Sequence, residues 1–339
     1  MSVRTGIPMD LFELTKSLVN MASVSGHEKA CAEFVKGYLV QLGFQAELMP
    51  VSRDRSNVFA TWGKPDIVLS THMDTVPPFF PAHEDGEHIY GRGSCDAKGI
   101  LAAQVSAAER LKKNGVEDFA LLFLVGEETV SDGAREANLH PRGSRYIING
   151  EPTENKLVIG CKGNLRIDIR ARGKMAHSAY PHLGVNAIDK LLDVLADLRK
   201  IPLPVSPALG PSTMNIGVIS GGRAANVVPD EAVAQILIRT VENSEPLRGK
   251  ITELIADRCV FEIVRDTPLL LMEKLDGYET DVVAFTTDLP SLTNWGRPLL
   301  LGPGSISMAH TERECVRKAD LVAAADLYYR LVRDLKNRG

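Results

Sequence analysis

Apolar positions along the chain follow two periods. Over Met9–Met21, Leu11, Phe12, Leu14, Leu18 and Val19 recur at helical spacing, which predicts an amphipathic first helix. The turn Ser23-Val24-Ser25-Gly26 follows, and a second helix is predicted from His27-Glu28 to about Leu42, stopped by Gly43. Phe44–Pro50 and Asn57–Trp62 read as strands of a meander. Ile67-Val68-Leu69, after the break at Pro65-Asp66, is too short for a helix and suits a strand buried on both faces. It runs into Ser70-Thr71-His72-Met73-Asp74, where His72 and Asp74 point the same way if the extended backbone persists.

Three more short apolar runs repeat this arrangement. Ala120–Val125 is closed by Gly126 and followed by Glu127-Glu128; Arg145–Ile148 is closed by Asn149-Gly150 and followed by Glu151-Pro152. Pro298–Leu301 leads into Gly302-Pro303-Gly304-Ser305 and then His310. A glycine-rich turn, Gly91–Gly99, carries Asp96 into a helix (Ala102, Ala103, Val105, Ala108, Leu111) that ends at Asn114-Gly115. In an open α/β sheet, sites form where the carboxyl ends of strands meet, so these loops are expected to converge on one crevice.

Residues 162–267 have a different rhythm. Leu165–Ala171 alternates as a half-buried strand, Val185–Leu198 is helical, Thr213–Ser220 and Ala232–Ile238 are strands, Leu247–Ala256 is helical and Val260–Val264 is a last strand. The order βαββαβ is that of a ferredoxin-like unit. The expected fold class is therefore α/β: a mostly parallel central sheet flanked by helices in residues 1–161 and 268–339, interrupted by an inserted α+β lid over 162–267. Lys318–Leu335 closes the chain as an amphipathic helix.

The 339 residues are too many for one ordinary core and suit two domains. A formal charge of −4, with no Lys/Arg run, argues against a nucleic-acid partner. No apolar run approaches a membrane span, and Met1–Pro8 has no signal-peptide core. Five scattered cysteines without close pairing fit a reducing compartment, so a cytoplasmic location is expected. The Gly91–Gly99 turn has neither phosphate-loop spacing, Cys95 has no base beside it in sequence, and His27, His83 and His88 read as surface histidines.

The strand-end groups His72, Asp96, Glu128, Glu151 and His310 are two imidazoles and three carboxylates, a donor set that suits two divalent ions such as zinc. Five ligands for two ions require one to be shared, and a carboxylate can bridge with its two oxygens. Glu127, left over beside Glu128, is the candidate general base.

Together, His72-x-Asp74, the Gly91-x-Gly93-x-x-Asp96-x-Lys98-Gly99 turn, Glu127-Glu128, Gly150-Glu151-Pro152 and the late His310 resemble the M20 metallopeptidase and deacylase family. Gly173–Ile188, with its Ala176-His177-Ser178, and Gly221–Pro229 are similar to the family's lid signatures. The resemblance implies His72 and Glu151 on one ion, Glu128 and His310 on the other, and Asp96 bridging through a turn with a cis peptide to Ala97. It further implies that Asp74 orients His72, that Glu127 is base and then acid, and that His177 binds the scissile carbonyl oxygen across a homodimer formed by the lids. Asn226 and Arg239 fall where the family often places substrate contacts. The two ions would be zinc, with cobalt or manganese as alternatives. Glu rather than Asp at 151, and the Gly302–His310 turn, resemble an N-acetylornithine or N-acetyl-lysine deacetylase. A succinyl-diaminopimelate desuccinylase or a dipeptidase or carboxypeptidase acting on short peptides is the alternative, and an inactive ligand-binding relative is the reading outside enzymes.

Overall fold

The computed structural model describes residues 9–338; the expectation made for Met1–Pro8, that it has no signal-peptide core, falls outside them. Helices α1 (Leu11–Val19) and α2 (Lys29–Gln41) come first. Strands β1 (Gln45–Ser52), β2 (Arg55–Trp62) and β3 (Ile67–His72) follow. Then come α3 (Lys98–Lys113), β4 (Phe119–Leu124), α4 (Asp132–Leu139), β5 (Tyr146–Asn149) and β6 (Leu157–Cys161). The next stretch holds β7 (Gly163–Arg172), α5 (Ala187–Leu198), β8 (Thr213–Gly221), β9 (Glu231–Thr240), α6 (Glu245–Ile255) and β10 (Val260–Thr267). The chain closes with β11 (Arg297–Leu300) and α7 (Lys318–Lys336).

Two compact units result. One comprises residues 1–159, 272–281 and 287–339, the other 160–271 and 282–286. The second begins two residues before the lid expected from sequence and extends four beyond it. The reason is pairing: Gly160 and Cys161, at the end of β6, form a ladder with Leu271 and Leu270.

In the first unit, the sheet runs β1-β2-β4-β3-β5-β11-β6. Strands β4, β3, β5 and β11 are mutually parallel, and β1, β2 and β6 join by antiparallel pairing. Every residue of β3, β4 and β5 is buried, as continuous apolar runs demand when helices cover both faces. The alanine-rich face of α3 permits a close approach, and its Ile100, Leu101, Ala103, Val105, Ala107 and Leu111 share one core with Leu69, Leu121, Phe123, Ile148 and the α7 side chains Tyr328, Leu331 and Leu335. Burial of each large apolar side chain contributes roughly 1.5–3 kcal/mol.

Several elements were not foreseen from the pattern, β6 among them. His83–Glu84 and His88–Tyr90 pair with Cys315–Arg317 in a small antiparallel sheet, so the histidines expected in a loop stand on strands. Helix α4 follows the Glu127-Glu128 turn directly, and its sequence is too polar to announce itself.

The second unit is an antiparallel sheet of order β8-β9-β7-β10. Alternate residues Leu165, Ile167 and Ile169 of β7 and Ala234, Ile236 and Ile238 of β9 pack beneath α5 and α6 on Leu191, Leu195, Leu247 and Ile251. The element order and strand order are those of the ferredoxin-like unit expected from the periodicity.

Candidate metal centre

Strand register decides which side chains meet. In the parallel pairs, His72 lies opposite Leu124, Ser70 opposite Asn149, and Leu300 opposite Asn149. β3 and β4 therefore end level, β5 and β11 end together two residues short of them, and the residues just beyond emerge at one edge. The junctions are cross-tied: Met73 N–H donates to Leu124 O at 2.8 Å, Gly150 N–H to Ser70 O at 2.7 Å, and the Thr71 hydroxyl to Gly150 O at 2.8 Å. Two glycines are required here. Gly126 turns the chain at φ +76°, and a Cβ on Gly302 would stand 2.3 Å from Glu151 O.

Among the described residues, two groups of three ligand-type side chains come together, His72 with Asp96 and Glu151, and Asp96 with Glu128 and His310. Within each group the potential ligand atoms lie within 4.8 Å of one another, and Asp96 belongs to both. Its Oδ1 is 3.0 Å from His72 Nε2 and its Oδ2 3.3 Å from His310 Nε2, which in turn is 2.9 Å from Glu128 Oε1. The peptide from Asp96 to Ala97 is cis. His72 Nδ1 lies 3.0 Å from Asp74 O. A carbonyl can only accept, so Nδ1 carries a proton and Nε2 is the ring nitrogen left to face Asp96.

Charge is unbalanced in this cluster. Burial, with Glu127 adding to it, drives the Glu151 pKa well up, and burial does the same for Glu127. Burial also opposes ionisation of Asp96, yet His310 and His72 hold its pKa below the ordinary carboxylate range. Burial opposes charge on His72, but Asp74 and Asp96 raise its pKa well above the usual imidazole value. Hydrogen bonds to Asp96 and Glu128 push His310 up to about 10. Among the described residues, Glu151 Oε1 is buried without a hydrogen-bond partner. So many carboxylates out of water need cations beside them, and two divalent ions fit both the orphaned oxygen and the nitrogen-and-oxygen donor set.

The Asp74 carboxylate has partners nearer than His72. The nearer partner of that ring is the Asp74 backbone carbonyl; the carboxylate itself is 3.5 Å away. It accepts instead from the Ser25 hydroxyl at 2.6 Å and from the backbone N–H groups of Glu127 and Glu128 at 3.1 and 3.2 Å. Asp74 thus pins the turn that carries the candidate base and one candidate ligand.

Residues 68–334 match the family model described as peptidase family M20/M25/M40. The chain belongs to peptidase family M20. It is 40% identical over 336 residues to a peptidase M20 domain-containing protein of Schizosaccharomyces pombe, covering 95% of this chain and 84% of that protein. A protein of Aspergillus clavatus named a probable carboxypeptidase is 37% identical, with 95% of this chain and 82% of the relative covered. Among solved structures, a tripeptidase from Staphylococcus aureus superposes with a TM-score of 0.80 at 21% identity, covering 95% of this chain and 98% of that one. An M20 family metallo-carboxypeptidase from Sulfolobus solfataricus superposes at 0.76 and 16% identity, with 96% and 99% covered. This M20 chain is a hydrolase, and its family includes dinuclear metal-binding peptidases such as one from Bacillus subtilis. No helix among the described residues is long and apolar enough to cross a membrane.

The remaining candidates belong to the second unit. His177 is exposed, and its Nδ1 accepts from Ala179 N–H at 3.1 Å, which leaves the proton of the neutral ring on Nε2. Asn226 is exposed beside it: its carbonyl accepts from Ser178 N–H at 3.0 Å, and His177 bridges to Val227. Arg239, on β9, is half-buried, and its Nη1 has no hydrogen-bond partner among the described residues. Burial alone lowers its pKa.

Two residues of the first unit escaped the sequence reading. Asp288 is buried, and burial pushes its pKa up to about 7 although the charge of His72 and the Ser131 side chain oppose it. It raises Glu127 and Glu151 in turn. The apolar run Val282–Phe285 ends three residues before it, so the strand-end pattern held a signal for Asp288 that the sequence reading passed over. Glu314 lies four residues after His310, and that spacing within a polar loop was its only signal.

Proposed function

We propose that this M20 hydrolase is a di-metal enzyme that cleaves an amide next to a free carboxylate, removing the C-terminal residue of a short peptide. The observation that carries the reading is Arg239, a half-buried guanidinium with a free, buried nitrogen. Such a group is suited to a planar carboxylate, which it binds with two parallel hydrogen bonds. The carboxypeptidase names of the relatives point the same way.

In this reading His72, Asp96 and Glu151 hold one ion and Asp96, Glu128 and His310 the other, zinc being the best match to the donors and cobalt or manganese the alternatives. Such ions supply Lewis acidity towards the scissile carbonyl and make water acidic near neutral pH. Glu127 takes the proton from the attacking water and returns it to the leaving nitrogen, its basicity raised by burial. The Nε2–H of His177 donates to the developing oxyanion, and Asn226 lines the same loop pair. Family resemblance supports a homodimer through the lids, with His177 serving the partner's site. Five scattered cysteines without close pairing in the sequence support a reducing, cytoplasmic setting.

A second reading keeps the same machinery and changes the substrate: an N-acetylornithine or N-acetyl-lysine deacetylase, favoured by the Gly302–His310 turn. Both substrates place a free carboxylate one carbon from the scissile nitrogen, and a desuccinylase substrate does so too. Incubation of the zinc- or cobalt-loaded protein with dipeptides, their C-terminal amides and N-acetyl amino acids separates the cases. Turnover of free-acid dipeptides, with the amides spared, is expected. Equal turnover of the amides would overturn the role of Arg239, and turnover of the N-acetyl compounds alone would select the deacetylase.

A further inference from the structure

The glycine-rich turn that presents Asp96 is built around a buried side chain from elsewhere in the chain. Glu314 is fully buried, and its Oε1 accepts three backbone hydrogen bonds, from Gly93 N at 2.9 Å, Cys95 N at 3.2 Å and Asp96 N at 3.0 Å. Its Oε2 accepts from Arg92 Nη1 at 2.5 Å, and Arg92 is itself buried, with its Nε donating to Pro78 O at 3.3 Å and its guanidinium over the Phe80 ring. Successive N–H groups curled around one point form a concave anion site, and here a carboxylate of the same chain fills it. One of those N–H groups is that of Asp96, so the backbone carrying the shared carboxylate is held directly.

Glu314 also belongs to the loop of His310. Four residues separate them, and Gly91 N–H donates to Glu314 O at 3.0 Å, closing the two loops upon each other. His310 adopts φ +63°, a left-handed conformation that a non-glycine residue keeps only where its surroundings impose it. The clasp therefore sets the separation between the turn bearing Asp96 and the loop bearing His310, the two residues that must face each other on the open side of the cluster.

We infer that Glu314 is a positioning residue for the metal centre, fixing Asp96 as the shared ligand and His310 opposite it through one buried carboxylate clamped by Arg92 and the Gly93–Asp96 backbone. The inference rests on the di-metal reading given above. Apart from the packing it contributes, Glu314 acts on ion binding by setting the geometry of ligands it does not join.

The test is cobalt titration of the full-length protein stripped of metal, following affinity and the visible absorption bands, alongside thermal unfolding of the stripped protein. Glu314→Gln keeps the shape and one oxygen for the three N–H groups but loses the charge that meets Arg92; Glu314→Ala loses both. Weaker cobalt binding, about 10-fold for Gln and about 100-fold for Ala, is expected, with altered bands in both, in the range seen when groups behind metal ligands are removed. Leu331→Ala, in the core contact of α7, calibrates a loss of stability alone and should leave affinity and bands unchanged. If Glu314→Ala does not fold, Glu314→Gln decides. Wild-type affinity and bands in Glu314→Gln would overturn the positioning role while leaving the di-metal reading intact. Failure of the wild-type protein to bind cobalt would overturn both.

Discussion

The two sides of the candidate ligand cluster are built differently. On one side His72, with 1% of its side chain exposed, and Glu151 stand at the ends of buried parallel strands, so hydrogen-bonded ladders set their positions. On the other, His310 is 49% exposed and rides on an irregular loop at positive φ, while Glu128 sits on a turn pinned by Asp74. Asp96, 6% exposed, joins them. The difference separates holding from reacting. A site fixed by sheet register keeps its ligands in place without a cation, whereas a site on loops depends on clasps such as Glu314 and leaves an open face for substrate and water.

Chemistry should be lost most heavily where neither side is disturbed. Glu127→Gln keeps the ligands and removes proton transfer, so kcat should fall by roughly 10²–10⁴-fold with metal content unchanged. Near-normal turnover would exclude Glu127 as the base. Asp96→Ala should erase the contrast between the sides, because both depend on it, and metal analysis should find fewer ions than in His310→Ala, which spares the buried triad. Two ions retained by the Asp96 variant would break the assignment.

Smaller recovery is expected from mixing. Glu127→Gln and His177→Ala chains, dissociated and reassociated together, should regain up to half of the sites in mixed dimers if His177 serves the partner. Mixed dimers with no more activity than the separate variants would place His177 in its own subunit's site or outside the chemistry.

The smallest effect belongs to Asp288, on stability rather than turnover. Its folded pKa of about 7 lies above the ordinary aspartate value of 3.8, so the folded state binds more protons than the unfolded one between those values. Stability of the metal-free protein must then decline as pH rises through that window, by at most about 1.4 kcal/mol per pH unit from this one group. Asp288→Asn should flatten denaturant-unfolding stability between roughly pH 4 and 7 and raise it at pH 8. A variant as pH-dependent as the wild type would show that Asp288 is ionised at low cost.

The sequence by itself determined the parts of this protein that periodicity and local chemistry control. Continuous apolar runs such as Ile67–Leu69 and Ala120–Val125 can only be strands covered on both faces, and the alternation Leu165, Ile167, Ile169 can only be a half-buried one. Because parallel strands end together, the groups following those runs were bound to share an edge, so His72, Glu128, Glu151 and His310 were legible before any coordinates. Helix α4 and the small sheet around Tyr90 were not, since polar residues and two- or three-residue strands carry no period. Tertiary structure alone decided what each carboxylate does. Asp74 turned out to hold the Glu127-Glu128 backbone, Glu314 to hold the Asp96 turn, and Asp288 to be buried near Glu127 and Glu151. Nothing local distinguishes these from solvated acids, because a carboxylate's role is set by which N–H groups and charges the fold brings to it, here from 53 positions away for Asp74 and 218 for Glu314.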